Sequence, residues 1–132
     1  MLIFAAQGAG RTSTLFECAP QVVIRQDLQE GFLAGTNHYQ WLSTPQPASA
    51  YAPESVERLD RLKVLIANLP GSPQPKELIS ILADPDVEQH KPDYGTEYAN
   101  LCSPTAKSLW FTFGGGFPAA SHGHWARIPW PY

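Results

Sequence analysis

A run of three polar side chains follows a short apolar segment in the first third of the chain. Thr36, Asn37 and His38 come directly after the apolar residues 32–34, so hydrogen-bonding groups begin where a predicted strand ends. Asparagine is a common turn residue, and a polar turn is one interpretation of this run. A side-chain amide at a strand end is also well placed to donate a hydrogen bond to an oxyanion. The residue types and their spacing leave both interpretations open.

The two cysteines, Cys18 and Cys102, are the candidate nucleophiles. They form no C-x-x-C pair, and two cysteines are too few for the disulfide framework of a small secreted domain. Cys18 falls inside a predicted strand beside Glu17, without a histidine near it in the sequence, whereas a nucleophilic thiol needs a nearby base. We therefore expect two ordinary free or buried thiols, with a buried structural thiol at Cys18, and no nucleophile in this chain.

Three further motifs have the composition of ligand sites without the spacing. His122 and His124 stand one residue apart with no carboxylate or cysteine close by, which is a weak metal signal. The glycines 114–116 match neither common phosphate-binding pattern, and Asp84 with Asp86 lacks the other ligands of a calcium loop. We expect a solvated loop, a flexible strand exit and a helix end, with no metal and no cofactor.

The elements that must position these residues are short, because 13 prolines and 10 glycines interrupt the chain. Apolar and β-branched runs predict strands, and their close spacing favours an antiparallel meander for the first four. Apolar residues at three- and four-residue steps predict two helices. The predicted strands are 2–6, 12–18, 21–26, 32–36, 101–102 and 107–113, and the predicted helices are 54–69 and 76–83. We expect a polar excursion over 84–99, in an α+β fold with segregated elements.

Composition limits the function classes. The chain has 132 residues, of which 43% are hydrophobic and 16% are charged, and this suits one folded domain. Its net charge of −3 argues against a nucleic-acid partner, which usually requires a basic face. No apolar run approaches the roughly 20 residues that a membrane span needs. We therefore expect a cytoplasmic protein with no nucleic-acid or membrane partner.

The segment 32–39 resembles the strand that ends in Thr-Asn-His in the isopenicillin N acyltransferase (acyl-coenzyme A:6-aminopenicillanic acid acyltransferase) family. These proteins are cysteine N-terminal-nucleophile hydrolases, related to the choloylglycine and linear amide hydrolases. The resemblance continues as an ordered series along the chain. Residues 15–25 resemble the family's paired strands before the motif, 55–61 its Ser-x-x-Arg helix start, and 108–113 its late strand. The match covers most of the chain and is weakest over 84–99.

The resemblance implies an αββα sandwich in which autocleavage exposes a cysteine. In the family, the thiol of that cysteine attacks an amide or thioester carbonyl, and its own α-amino group is the base. The role of oxyanion donor falls on Asn37. His38 and Arg58 match supporting positions, His38 as a neighbour of the site and Arg58 as a partner that fixes the helix.

This chain departs from the family in having no nucleophile upstream of the motif. Only 36 residues precede Asn37, and Met1 is followed by Leu2 rather than by Cys, Ser or Thr. We therefore expect a single partial domain over 1–132, the C-terminal fragment or subunit of an amidohydrolase or acyltransferase acting on linear amide or acyl-thioester bonds. The isolated chain should be inactive and should need a missing N-terminal half or partner chain. The alternative is a non-catalytic orphan half-domain that oligomerises or binds a partner.

Half a sandwich would leave strand edges and an apolar sheet face uncovered. Such surfaces promote association, and we expect this chain to self-associate or to require a partner. The side chains expected at these surfaces are Val22, Ile24, Leu109 and Phe111.

Overall fold

The computed structural model describes residues 2–5, 14–27, 32–42, 52–104, 106–113 and 118–129. Its elements, in chain order, are β1 (Leu2–Ala5), β2 (Thr14–Ala19), β3 (Val22–Asp27), β4 (Phe32–Gly35), α1 (Ala52–Ala67), α2 (Pro75–Leu82), β5 (Tyr98–Ser103), β6 (Ser108–Phe113), α3 (Ala119–His122) and β7 (Ala126–Pro129). The predicted α+β class is confirmed. The chain forms two compact units, and the boundary between them, after Lys63, falls within α1.

The four strands of the first unit form two antiparallel pairs, and the strands of the pair β2–β3 lie between β1 and β4 in the sequence. β2 and β3 form an antiparallel hairpin in which Ala19 faces Val22 across a two-residue turn, and Thr14 faces Asp27 at the open end. β1 pairs with β4 rather than with β2. The predicted meander is therefore wrong. Two strands that are close in the sequence can be predicted to pair only where a tight turn joins them. No such turn follows β1, so its pairing partner could not be predicted.

Side-chain alternation along β2 decides which residues are buried. Leu15 and Glu17 are buried, while Phe16 and Cys18 are exposed on the other face of the strand. Cys102 of β5 is also exposed. The prediction of a buried thiol is wrong at Cys18, whereas at both cysteines a free thiol agrees with the expectation. A strand places alternate residues on opposite faces, and both cysteines fall on the solvent face.

The helix α1 begins and ends close to its predicted bounds. Its buried positions Ser55, Leu59 and Leu62 recur at four- and three-residue steps and so lie on one face. The regular helix ends at Ala67, two residues before the predicted end. There Asn68 N donates to the carbonyl of Leu65 at 3.3 Å, a three-residue step that tightens the last turn.

The helix α2 has a conventional start. Pro75 occupies its first position, and the Glu77 carboxylate accepts a hydrogen bond from Gln74 N at 2.6 Å. This contact satisfies one backbone N–H that the helix itself leaves unpaired. None of the helices that the structure describes is long and apolar enough to cross a membrane.

The second unit contains the three-stranded antiparallel sheet β5-β6-β7. The segment 84–99, expected to be a polar excursion, instead contributes three buried residues, Val87, Glu88 and Ala99. The Glu88 carboxylate accepts hydrogen bonds from Ala120 N at 2.5 Å and Ser121 N at 3.2 Å at the start of α3. Both α3 and β7 went unpredicted, because neither is long enough to show a hydrophobic period.

Candidate functional site

The polar residues that follow β4 lie against the first turn of α1. Ser55, whose side chain is 1% exposed, is the centre of this contact. Its hydroxyl accepts a hydrogen bond from Asn37 N at 2.7 Å and donates one to Thr36 Oγ1 at 2.9 Å. The Thr36 hydroxyl donates in turn to the Ser55 carbonyl at 2.7 Å. The backbone around Asn37 is therefore fixed to the helix by three hydrogen bonds.

His38 belongs to the same network. Its Nδ1 lies 2.8 Å from Ser55 Oγ and 3.1 Å from Thr36 Oγ1. The ring is partly exposed, so one edge faces the hydroxyl groups while the residue as a whole retains contact with solvent. Thr36, His38 and Ser55 form a compact polar cluster beneath Asn37.

Asn37 itself is exposed, and Arg58 sets the orientation of its side chain. Arg58 follows Ser55 by three residues, so both lie on the same face of α1. Its Nη2 donates a hydrogen bond to Asn37 Oδ1. With Oδ1 taken as an acceptor, the Asn37 amide nitrogen Nδ2 is left as the outward donor. Within the described ranges, no group accepts a hydrogen bond from that Nδ2.

A buried carboxylate holds the segment that continues from this cluster. Glu17 is 5% exposed, and its Oε1 accepts from Gln40 N at 2.6 Å. Its Oε2 accepts from Trp41 N and from Leu42 N, each at 2.9 Å. Three consecutive backbone N–H groups therefore converge on one carboxylate, an arrangement that binds anions. Glu17 of β2 thereby anchors the far end of the segment that carries Asn37.

Two further hydrogen bonds tie this segment to the strands. Tyr39 Oη donates to the Cys18 carbonyl at 2.7 Å, and Gln40 Nε2 donates to the Ala34 carbonyl at 2.8 Å. Each joins a residue after β4 to a strand backbone. The segment from Thr36 to Leu42 is thus held at its start by α1 and along its course by β2 and β4.

The open end of the β2–β3 hairpin carries Asp27, a carboxyl group that accepts two side-chain hydrogen bonds. Thr14 Oγ1 donates to Asp27 Oδ1 at 2.6 Å, and Arg25 Nε lies 2.8 Å from the same oxygen. These hydrogen bonds, that of Thr14 first, lower the pKa of Asp27 below its ordinary value. The side chain of Asp27 therefore links β3 to the start of β2 at the open end of the hairpin.

Cys18 lies on the face of β2 opposite to Glu17, and Cys102 is an exposed residue of β5. His122 and His124 are exposed, and the described residues contain no group of three or more His, Cys, Asp or Glu side chains that could hold a metal. The glycines 114–116 lie outside the described residues.

The structure brings together the three residues singled out from the sequence, Asn37, His38 and Arg58. Ser55 was predicted only as the first residue of the Ser-x-x-Arg helix start, and Glu17 was given no role. A signal for each was present: Ser55 stands one helical turn before Arg58, and Glu17 alternates with Leu15 on the apolar side of a predicted strand. No family model, curated protein or solved structure matches this chain.

Proposed function

We propose that this chain is the C-terminal fragment or subunit of a cysteine N-terminal-nucleophile amidohydrolase or acyltransferase and supplies its oxyanion-binding part, while a missing N-terminal half or a partner chain supplies the nucleophile. The observation that carries the proposal is the hydrogen bond from Arg58 to Asn37 Oδ1. It occupies the oxygen of an exposed amide and leaves the two N–H bonds of that amide as donors. Such an amide is a preorganised hydrogen-bond donor, which is what the stabilisation of a developing oxyanion requires.

Preorganisation supports the same function. The backbone N–H of Asn37 is bound by a buried hydroxyl, and the chain three to five residues later is bound by the Glu17 carboxylate. The reorganisation energy is small when negative charge develops on the substrate oxygen, because the hydrogen-bond donor is already in position. A simple surface turn has no need of a buried carboxylate and a buried hydroxyl beneath it.

The proposed partner is the N-terminal half of an αββα sandwich. The outer face of the β2–β3 hairpin favours this, since Phe16 is 57% exposed and Val23 is 62% exposed on neighbouring strands. The same observation also favours the second candidate, a non-catalytic half-domain that associates with itself or with another protein. The two candidates differ in whether Asn37 has a chemical role.

Complementation tests the proposal. We would co-express the chain with the N-terminal half of an isopenicillin N acyltransferase family member, which carries the amino-terminal cysteine. The isolated chain should hydrolyse no amide or thioester above background, and the complex should have thiol-dependent turnover. Thiol-blockable turnover by the isolated chain, lost on Cys18→Ala or Cys102→Ala, would contradict the proposal.

The Asn37→Ala variant of that complex tests the oxyanion role. Loss of one oxyanion donor typically lowers turnover by about 10²–10³, and we expect that loss with the fold unchanged. Asn100→Ala, at an exposed position of β5, is the matched control and should retain wild-type turnover. Near wild-type turnover of Asn37→Ala would reduce Asn37 to a turn residue and favour the non-catalytic candidate.

A direct binding test needs no partner chain. Methylphosphonate is a tetrahedral anion that imitates the shape and charge of the intermediate in acyl transfer. Its addition to the isolated chain should shift the Asn37 Nδ2 resonances and leave those of Asn100 in place. Equal shifts at both amides would indicate non-specific binding only.

A further inference from the structure

The sheet β5-β6-β7 carries, on an edge strand, an arginine whose guanidinium group is fixed by a buried hydroxyl group. Arg127 of β7 is exposed and lies directly opposite Trp110 of the central strand β6. Its Nε and Nη2 both donate to Ser108 Oγ, at 3.1 and 2.8 Å. Its Cζ lies 5.5 Å from the centre of the Trp110 ring, a cation–π contact. Two residues of β6 therefore hold the guanidinium group of an exposed side chain.

The hydroxyl group of Ser108 is fully used in these contacts. Ser108 is 0% exposed, and its single proton goes to the Ala106 carbonyl at 2.9 Å. The two lone pairs of its oxygen accept the two N–H groups of Arg127. Because the residue is wholly buried, this hydroxyl group does not meet a ligand itself. Its effect is to orient the guanidinium group.

The guanidinium group of Arg127 keeps three of its five N–H donors, since two are bound by Ser108. One edge of the planar group, formed by Nε and Nη2, faces the serine. The second edge, formed by Nη1 and Nη2, retains two parallel N–H bonds, the spacing that matches the two oxygens of a carboxylate. Both bonds belong to one rigid group, so a single ligand can contact both. Among the salt bridges of the described residues, none includes Arg127.

The charge of this part of the sequence suits an anion. Residues 101–132 contain no aspartate and no glutamate, whereas they include Lys107, Arg127 and two histidines. Lys107 is exposed and directly precedes the buried Ser108. The free edge of Arg127 offers one positive charge and two parallel donors, which fits a carboxylate monoanion better than a phosphate dianion.

We propose that Arg127 binds the carboxylate group of a ligand through Nη1 and Nη2, and that Ser108 is its positioning residue. Each carboxylate oxygen accepts one of the two parallel N–H bonds. Because the guanidinium group is oriented before the ligand arrives, binding costs less conformational entropy than at a freely rotating arginine. The site shares no residue with the Asn37 cluster, so its test is independent of the function proposed there.

Titration of the full chain with sodium acetate at constant ionic strength tests the proposal. Side-chain ¹⁵N–¹H spectra should show saturable shifts of the Arg127 Nε and Nη resonances in the millimolar range. Arg25 is the internal reference, because it already pairs with the Asp27 carboxylate. Acetamide, which has nearly the same shape and no charge, should leave Arg127 in place. Shifts that do not saturate, or that are equal at Arg25 and Arg127, would overturn the proposal.

Two further anions test the ligand class. Inorganic phosphate should bind more weakly than acetate, and tighter binding of phosphate would overturn the assignment of a carboxylate. N-acetylglycine carries the carboxylate of a peptide end and should also bind at Arg127. Tighter binding of N-acetylglycine than of acetate would assign the carboxylate to a chain terminus, and equal binding would assign it to a small organic acid.

Arg127→Lys tests the planar geometry of the free edge. It keeps the charge but replaces two parallel N–H bonds by a rotating ammonium group. We expect acetate binding to weaken about tenfold, the effect of one lost hydrogen bond to a charged group. An unchanged dissociation constant for acetate would show that charge alone attracts the anion and would overturn the bidentate contact.

Ser108→Ala tests the positioning role. Rotation about the Nε–Cζ bond of Arg127 should become faster, and acetate binding should weaken about two- to tenfold, the range for one neutral hydrogen bond. Ser103→Ala is the matched control, because Ser103 lies opposite Ser108 and its Oγ accepts from Ala106 N at 3.2 Å. It loosens the same turn without contacting Arg127. Equal effects of the two variants on Arg127 rotation would overturn the role of Ser108.

Discussion

At the scale of single residues, buried polar groups carry the organisation of the candidate site. Ser55 and Glu17 are almost wholly buried, and each forms hydrogen bonds with backbone or hydroxyl groups near Asn37. A buried polar group is tolerated because it is satisfied, and its loss leaves its partners unpaired. Stability and the geometry of the site therefore depend on the same side chains.

Glu17→Gln tests this dependence. The substitution replaces one acceptor oxygen by an NH₂ group that must face backbone N–H groups of Gln40, Trp41 or Leu42. We expect a loss of about 1–3 kcal/mol in the free energy of unfolding, the usual effect of unsatisfied buried groups. Denaturant unfolding measures it. Glu97→Gln, at an exposed position, is the control, and an equal effect of both substitutions would show that Glu17 is no anchor.

Asp27 gives the β2–β3 hairpin a dependence on pH. Its pKa is lowered in the folded chain by the Thr14 hydroxyl and by Arg25. The stabilisation is therefore complete above the ordinary aspartate pKa of about 3.9. It is lost as the pH falls through the lower folded value. Carboxyl ¹³C shifts should give the lower pKa, and Thr14→Val should raise it. An unchanged Asp27 pKa in Thr14→Val would exclude the hydroxyl as the main cause.

At the scale of elements, Gly123 imposes a steric constraint directly after α3. A Cβ on Gly123 would collide with Thr112 Oγ1 and with the Ala119 carbonyl oxygen. Overpacking of this kind costs typically about 1–3 kcal/mol. We expect Gly123→Ala to lower the midpoint of thermal unfolding.

Gly71→Ala is the matched control for Gly123→Ala. A Cβ at position 71 would meet no atom within 4 Å in the described part of the chain. Its thermal midpoint should therefore stay near that of the wild type. Equal midpoints for the two variants would mean that the chain after α3 shifts to accept the methyl group.

The elements also show what the sequence can predict. Leu59 and Leu62 repeat at helical steps within α1, and such local periods place a helix to within a few residues. Contacts between residues that are far apart in the sequence produce no such periodic pattern. Asn37 and Arg58 are 21 residues apart, and Glu17 binds an N–H that lies 25 residues later. The candidate residues were therefore predicted one by one, whereas Ser55, which joins them, was identified only in the folded chain.

At the scale of the whole molecule, exposed apolar residues bear on assembly. Of the four side chains expected at open surfaces, Val22 is exposed, and Ile24, Leu109 and Phe111 are half-buried. Larger exposed fractions occur at Phe16, Val23, Tyr98 and Phe113. On β3, alternation places Val23 on the face opposite to Ile24, whereas on β6 Phe113 shares its face with the expected Leu109 and Phe111.

The β2–β3 hairpin should therefore drive association of the isolated chain. Phe16→Lys combined with Val23→Lys adds charge to its outer face without touching the inward Leu15 and Glu17. Sedimentation over a concentration series should show a mass that rises with concentration for the wild type, and a smaller rise for this variant. The same substitutions at Val56 and Val64, which are exposed on α1, are the control. A wild type that stays monomeric at high concentration would contradict the prediction.

The pairing of the four strands in the first unit predicts an order of folding, because the β2–β3 hairpin lies between β1 and β4 in the sequence. The hairpin closes over two residues and can form on a microsecond timescale, while Ala5 and Phe32 must meet across a long connection. Once the hairpin has formed, it shortens the effective loop that separates β1 from β4, and the entropic cost of their pairing falls. The first unit should therefore fold from the hairpin outward. We expect the segment that carries Asn37 to become ordered last in this unit, because its hydrogen bonds to α1 require both β4 and α1 to be in place.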